Sequence, residues 1–277
     1  MSDELRRGFQ DKMQGRGAGA RRPGAGSNEP APGAAPVASL SVAGLEFASF
    51  RDAAPLNPRF LDLRPRMRLT LAIGPSLAGP LRWLGPLERA ALLDLCPGLP
   101  RHECGAGPAA VQRLLAEVGA GPARAPEVDE PEDGLPAAHL IEHVALEILA
   151  TVTGAPRAHG AACAHEGEGA RCDVYFECDD GALGRAVALL AAAVIRDLQA
   201  GAERSLIHRR CRDLLGFLLR SRRQAVAPED AAAALRCDRA DAREALEALA
   251  RFGFVEKTGA PLTFSSPAGV LFRRVLS

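Results

Sequence analysis

Residues 137–154 read Ala-Ala-His-Leu-Ile-Glu-His-Val-Ala-Leu-Glu-Ile-Leu-Ala-Thr-Val-Thr-Gly. Apolar side chains at 140, 141, 144, 145, 148, 149 and 152 recur at helical spacing, and Gly154 followed by Pro156 stops the run. A helix from about Ala137 to Thr153 is therefore expected. At roughly 100° per residue, His139, His143 and Glu147 fall within about 80° of one another, and Glu142 lies about 60° to the other side of His139. One face is apolar; the other gathers two imidazoles and two carboxylates. Imidazoles one turn apart can share a divalent cation through neutral ring nitrogens. The pattern His-x-x-Glu-His is the inverted zinc-peptidase box, with two His ligands and a Glu that takes a proton from water. On this reading His139 and His143 are metal ligands, Glu142 is the catalytic base and zinc is the cofactor. The bland alternative is the solvated face of an amphipathic helix.

A third ligand is required. Glu147 continues the same stripe, but three ligands spread along about 12 Å of helix cannot converge on one ion. Glu147 then orients His143 from behind, and a donor from elsewhere completes the set. The candidates are Glu177, in the strand-like run Cys172 to Cys178, and His102, in His-Glu-Cys. His159, Cys163 and His165 lie in a Gly/Ala-rich stretch with no usual ligand spacing.

Working outward, Leu40 to Phe50 and Met67 to Ile73 alternate as half-buried strands do, and Leu84 to Leu95 and Ala109 to Val118 have helical spacing. Residues 119–136 form an acidic Pro/Gly loop, and 157–171 read as a second loop. Asp179 or Asp180 caps a long helix that ends near Gly201. Strands and helices interleave without a βαβ repeat, which predicts an α+β fold with helices laid on a sheet. From Ser205 the order changes: a helix to Arg222, a short helix over Pro228 to Leu235, a turn, a third helix to Phe252, and two short strands around Gly259 to Pro261. That order predicts a small, mainly helical, winged-helix-like domain. The expected divisions are a disordered tail over 1–36, a helix-on-sheet domain over 37–202 and the winged-helix-like domain over 203–277.

A chain of 277 residues that is 47% hydrophobic can bury a sizeable core. No apolar run is long enough to span a bilayer, and the polar N-terminus is not a secretory signal, so a cytoplasmic protein without membrane contact is expected. The seven cysteines are scattered, with no Cys-x-x-Cys pair, and read as reduced thiols. Net charge is zero, but residues 37–202 carry 14 basic and 21 acidic groups, and residues 203–277 carry 14 and 9. Arg209, Arg210, Arg212, Arg220, Arg222 and Arg223 concentrate on or just after the first C-terminal helix, which makes DNA a candidate partner. The carboxylates Asp238, Asp241, Glu244 and Glu247 beside Arg239 and Arg243 on the third helix oppose it.

The segments Pro100-Arg-His-Glu-Cys104, Gly107 to Leu115, His139-Leu-Ile-Glu-His-Val-Ala-Leu-Glu-Ile148 and Val174-Tyr-Phe-Glu177 together resemble the N-terminal domain of cyanophycin synthetase. The resemblance covers about residues 41–201, and its specific part is the block from His139. It implies a domain that binds an arginine-decorated polyaspartate and, in some members, a cryptic zinc metallopeptidase that cuts the polymer. The family's ATP-grasp and Mur-ligase-like domains have no counterpart in this sequence, so polymer synthesis is excluded for this chain alone. A zinc-dependent hydrolase acting on a peptide or isopeptide bond, with an Asp-Arg polymer as substrate class, is favoured. The competing expectation is a non-catalytic ligand- or metal-sensing regulator, or a polymer-binding module, whose C-terminal domain binds DNA or protein.

Overall fold

The computed structural model describes residues 40–51, 53–61, 63–74, 84–99, 136–154, 158–165, 171–201, 205–221, 223, 225–259 and 263–265. The expected tail over 1–36, the helix over Ala109 to Val118, nearly all of the acidic loop and His102 lie outside them.

Alternation in Arg66–Ile73 builds the central strand. Met67, Leu69, Leu71 and Ile73 are buried in the main core, while Arg66, Arg68 and Thr70 point to the other face. This strand, β2, lies between β1 (Leu40–Ala48) and β4 (Arg171–Glu177), and β3 (Gly160–Ala164) adds to the far side of β4. The sheet order is β1-β2-β4-β3 and every pairing is antiparallel. β1 and β2 pair from Leu40 opposite Ile73 to Ala48 opposite Arg66, with a register shift between Val42 and Gly44. β3 falls in the stretch expected to be a loop. Its sequence, Gly-Ala-Ala-Cys-Ala, holds no β-branched or aromatic residue, so pairing to β4 rather than local propensity makes it a strand.

Helices α2 (Pro136–Thr153) and α3 (Gly181–Gln199) lie on the apolar face of the sheet, and α1 (Pro86–Leu95) and α4 (Ser205–Ser221) pack on the helices. α2 packs on β3 and β4, and α3 on β1 and β2; α4 then covers both helices and touches α1. α3 starts where the Asp180 carboxylate accepts the Leu183 amide at 2.8 Å. The fold is thus α+β, as expected. Among the described residues, no helix is long and apolar enough to cross a membrane.

After α4 come β5 (Ala225–Val226), α5 (Pro228–Leu235), α6 (Arg239–Arg251), β6 (Glu256–Thr258) and β7 (Thr263–Ser265). The three strands form a second antiparallel sheet of order β5-β7-β6. Cys211, Leu214, Leu215 and Leu218 of α4, Leu246 and Leu249 of α6, and Phe254 and Phe264 share one contiguous core with α2, α3 and the four-stranded sheet.

Candidate metal centre

α2 has protein on both sides. Its apolar face meets the main core, yet Glu142, His143 and Glu147 are buried as well, at 5%, 3% and 9% exposure. The solvated-face alternative is therefore overturned: the polar stripe is an interior feature. Glu142 lies against Gly160 and Glu147 against Gly98, approaches from distant parts of the chain that helical periodicity alone does not reveal.

The helical offset of four brings the two imidazoles together. His139 Nε2 and His143 Nε2 stand 3.0 Å apart, with ring centroids 4.6 Å apart and planes at 77°. Two imidazole nitrogens bound at about 2.05 Å to one tetrahedral zinc would stand about 3.3 Å apart, close to the spacing seen. Glu142 Oε2 lies 3.3 Å from His139 Nδ1, an ion-pair distance, but that buried oxygen accepts no hydrogen bond. A carboxylate beside the outer nitrogen of an imidazole directs its other nitrogen toward a cation, and a buried oxygen with unused capacity suits a proton or positive charge. The box thus offers two of the donors a divalent ion takes, at a spacing that equally makes a hydrogen bond between the two imidazoles. Among the described residues, no group of three or more His, Cys, Asp and Glu side chains could hold a metal.

Glu147 points away along the helix. Its Oε1 accepts the Gly98 amide at 2.7 Å, and a Cβ at residue 98 would overlap the carboxylate. Glu147 thereby holds the turn that follows α1. Its charge adds to burial, the larger cause, in pushing the Cys96 thiol far up. Glu177, fully buried, accepts the Leu61 amide at 2.9 Å on Oε1, and on Oε2 both Arg64 and the His159 amide at 3.2 Å. Those three donors engage both of its oxygens.

The opposite face of the sheet carries polar groups that sequence reasoning did not connect. Asp173 accepts Thr70 Oγ1 at 2.6 Å and Tyr175 OH at 3.3 Å, and pairs with His165 Nε2 at 3.0 Å. Burial first, then the Asp173 charge, pushes the Tyr175 hydroxyl up to about 12. Arg66 is fully buried over the Phe60 ring and donates to the carbonyls of Phe50 and Leu61. Alternation along β2 and β4 was the available signal, since it places residues 66, 68, 70, 173, 175 and 177 on one face.

The basic cluster of the C-terminal part is largely consumed within the chain. Arg209 pairs with Asp94, Arg210 with Asp241, and Arg223 with Asp230; Arg212 donates to Leu95 O and Asp213. Arg239 and Arg243 on α6 pair with Glu229 and Glu247. Arg222 lies outside the described residues.

Taken together, a four-stranded antiparallel sheet and a helix whose His-x-x-Glu-His box buries Glu142 and His143 and leaves His139 partly exposed define an α+β domain with a largely interior polar site. Residues 88–200, from α1 through α3, match the family model of the cyanophycin synthase-like N-terminal domain. Neither a curated protein nor a solved structure matches the chain.

Proposed function

We propose that this chain is a zinc-dependent hydrolase that cuts a peptide or isopeptide bond in an arginine-rich polymer of the Asp-Arg class. The observation that carries the reading is the 3.0 Å approach of His139 Nε2 to His143 Nε2 beside a buried Glu142. The family match over residues 88–200 and the acidic excess of residues 37–202 support the substrate class. His139 and His143 hold the ion through Nε2, leaving their protons on Nδ1, and Glu142 steadies the His139 ring from its Nδ1 side. His102, which lies outside the described residues, is the candidate the sequence offers for a third donor. When bound, the ion supplies Lewis-acid polarisation of the scissile carbonyl. The Glu142 carboxylate accepts the proton of the attacking water and passes it to the departing amine. Burial of Glu142 and His143 strengthens the charge interactions they make.

The C-terminal part follows the strand and helix order of a winged helix, and we read it as such a module. Its engaged arginines favour a protein contact over DNA. A non-catalytic sensor or polymer-binding module is the competing reading for the whole chain.

The test is elemental analysis of the purified chain beside the His139→Ala/His143→Ala double variant, with release of fragments from an Asp-Arg polymer on the same samples. One equivalent of zinc, lost in the double variant, with cleavage lost in Glu142→Gln, is the expected result. A chain that takes up no metal after reconstitution with zinc would sink the hydrolase and leave the binding module.

A further inference from the structure

The Glu142 carboxylate rests on a shelf of backbone. Gly160, the first residue of β3, leaves no space for a methyl group: a Cβ there would lie 2.7 Å from Glu142 Oε1, 2.8 Å from its Cγ and 3.0 Å from its Cδ. Such approaches force one partner to move, and a residue only 5% exposed has little room to retreat. With Oε2 turned to His139 Nδ1 at 3.3 Å, any movement away from residue 160 changes the relation of Glu142 to the imidazoles.

The shelf is fixed from the polar side of the sheet. Asn57 Nδ2 donates to the Gly160 carbonyl at 2.7 Å. The His159 amide donates to Glu177 Oε2 at 3.2 Å, and the Glu177 amide returns a bond to the His159 carbonyl at 2.9 Å. Glu177 is itself held by the Leu61 amide and by Arg64, so the loop after β1 grips the start of β3 at several points. The carboxylate offered by the sequence as a metal ligand is thus engaged in holding the backbone on which Glu142 rests.

We propose that Gly160 is a positioning residue for Glu142, with Asn57 and Glu177 holding it in place from behind. The missing side chain at 160 sets where the carboxylate lies relative to His139 and His143. The inference rests on the reading of Glu142 as the proton acceptor.

A double-mutant cycle on the full chain tests it without metal or substrate. Gly160→Ala lowers the urea midpoint when Glu142 is present and has little effect in a Glu142→Ala background, where the new methyl fills vacated space. An equal loss in both backgrounds overturns the shelf. On an Asp-Arg polymer, Gly160→Ala keeps its zinc and its KM while kcat falls ten- to about a hundredfold, the cost expected for a misplaced catalytic group. Glu142→Asp, one methylene shorter, restores part of that loss in the Gly160→Ala chain. An unchanged kcat overturns the positioning role. If Gly160→Ala does not fold, Asn57→Ala, which frees the shelf without filling it, is expected to show the same split between kcat and KM. A parent chain that binds no zinc removes the hydrolase reading alone, and the stability cycle still decides for or against the shelf.

Discussion

A buried carboxylate is costly unless donors reach it, and Glu147 meets its donor in the backbone of Gly98. Glu147→Ala would leave that amide unsatisfied, at an expected loss of about 1–3 kcal/mol in urea unfolding, whereas Glu147→Gln keeps an acceptor and loses less. Thiols give a second prediction at this scale. Burial, the leading cause in each case, pushes Cys172, Cys178 and Cys211 from the ordinary 9.0 up to about 12, so folding favours their neutral form. That contribution is whole below pH 9 and is lost as pH rises toward 12; the urea midpoint is expected to fall across this window. Among the six described cysteines, an aromatic disulfide reagent at pH 8 should reach the half-buried Cys163 and Cys237 first, while Cys96, Cys172, Cys178 and Cys211 wait on opening of the core. Matching rates for all six would contradict the burial described. His139, Glu142 and His143 were legible as a set because helical spacing is local. Gly98, Asn57 and Gly160 were not, because their importance is the space they leave or the carbonyl they hold, and both depend on partners distant in the chain.

At the scale of elements, the strongly periodic segments were read to within one or two residues. α2 begins at Pro136 instead of Ala137, and α5 spans the range the sequence indicated. What escaped were β3 and β5, a run of small residues and a two-residue strand, each made a strand by its pairing partner. Capping is where single substitutions speak at this scale. Asp180→Ala removes the acceptor for the Leu183 amide and should cost about 1 kcal/mol by thermal or urea unfolding. α5 ends at Arg236, which adopts the left-handed conformation at φ 53° and ψ 46°. Glycine takes that conformation without a Cβ penalty, so Arg236→Gly is expected to stabilise the chain by some 0.5 kcal/mol. A loss of stability would mean that the Arg236 side chain contributes more than the backbone strain removes.

For the molecule as a whole, the continuity of the core past Ser205 matters most. α4 contributes Cys211, Leu214, Leu215 and Leu218 to the core that backs α2 and α3, and Arg212 reaches the last turn of α1. A chain ended after Gly201 would expose this apolar surface, and it is expected to lose the cooperative thermal transition of the full chain and to aggregate. A truncated chain with an unchanged transition would show that the part before Ser205 folds independently. The double covering of α2 also bears on how freely the sequence can vary. Among its eighteen residues only Thr151 and Thr153 are exposed, with His139 and Ala150 partly so. A saturation library should therefore return neutral substitutions at 150, 151 and 153 and few elsewhere, so that restraint imposed by packing and restraint imposed by chemistry coincide along the same helix. To tell the two apart requires substitutions that preserve shape while altering charge, Glu142→Gln foremost among them.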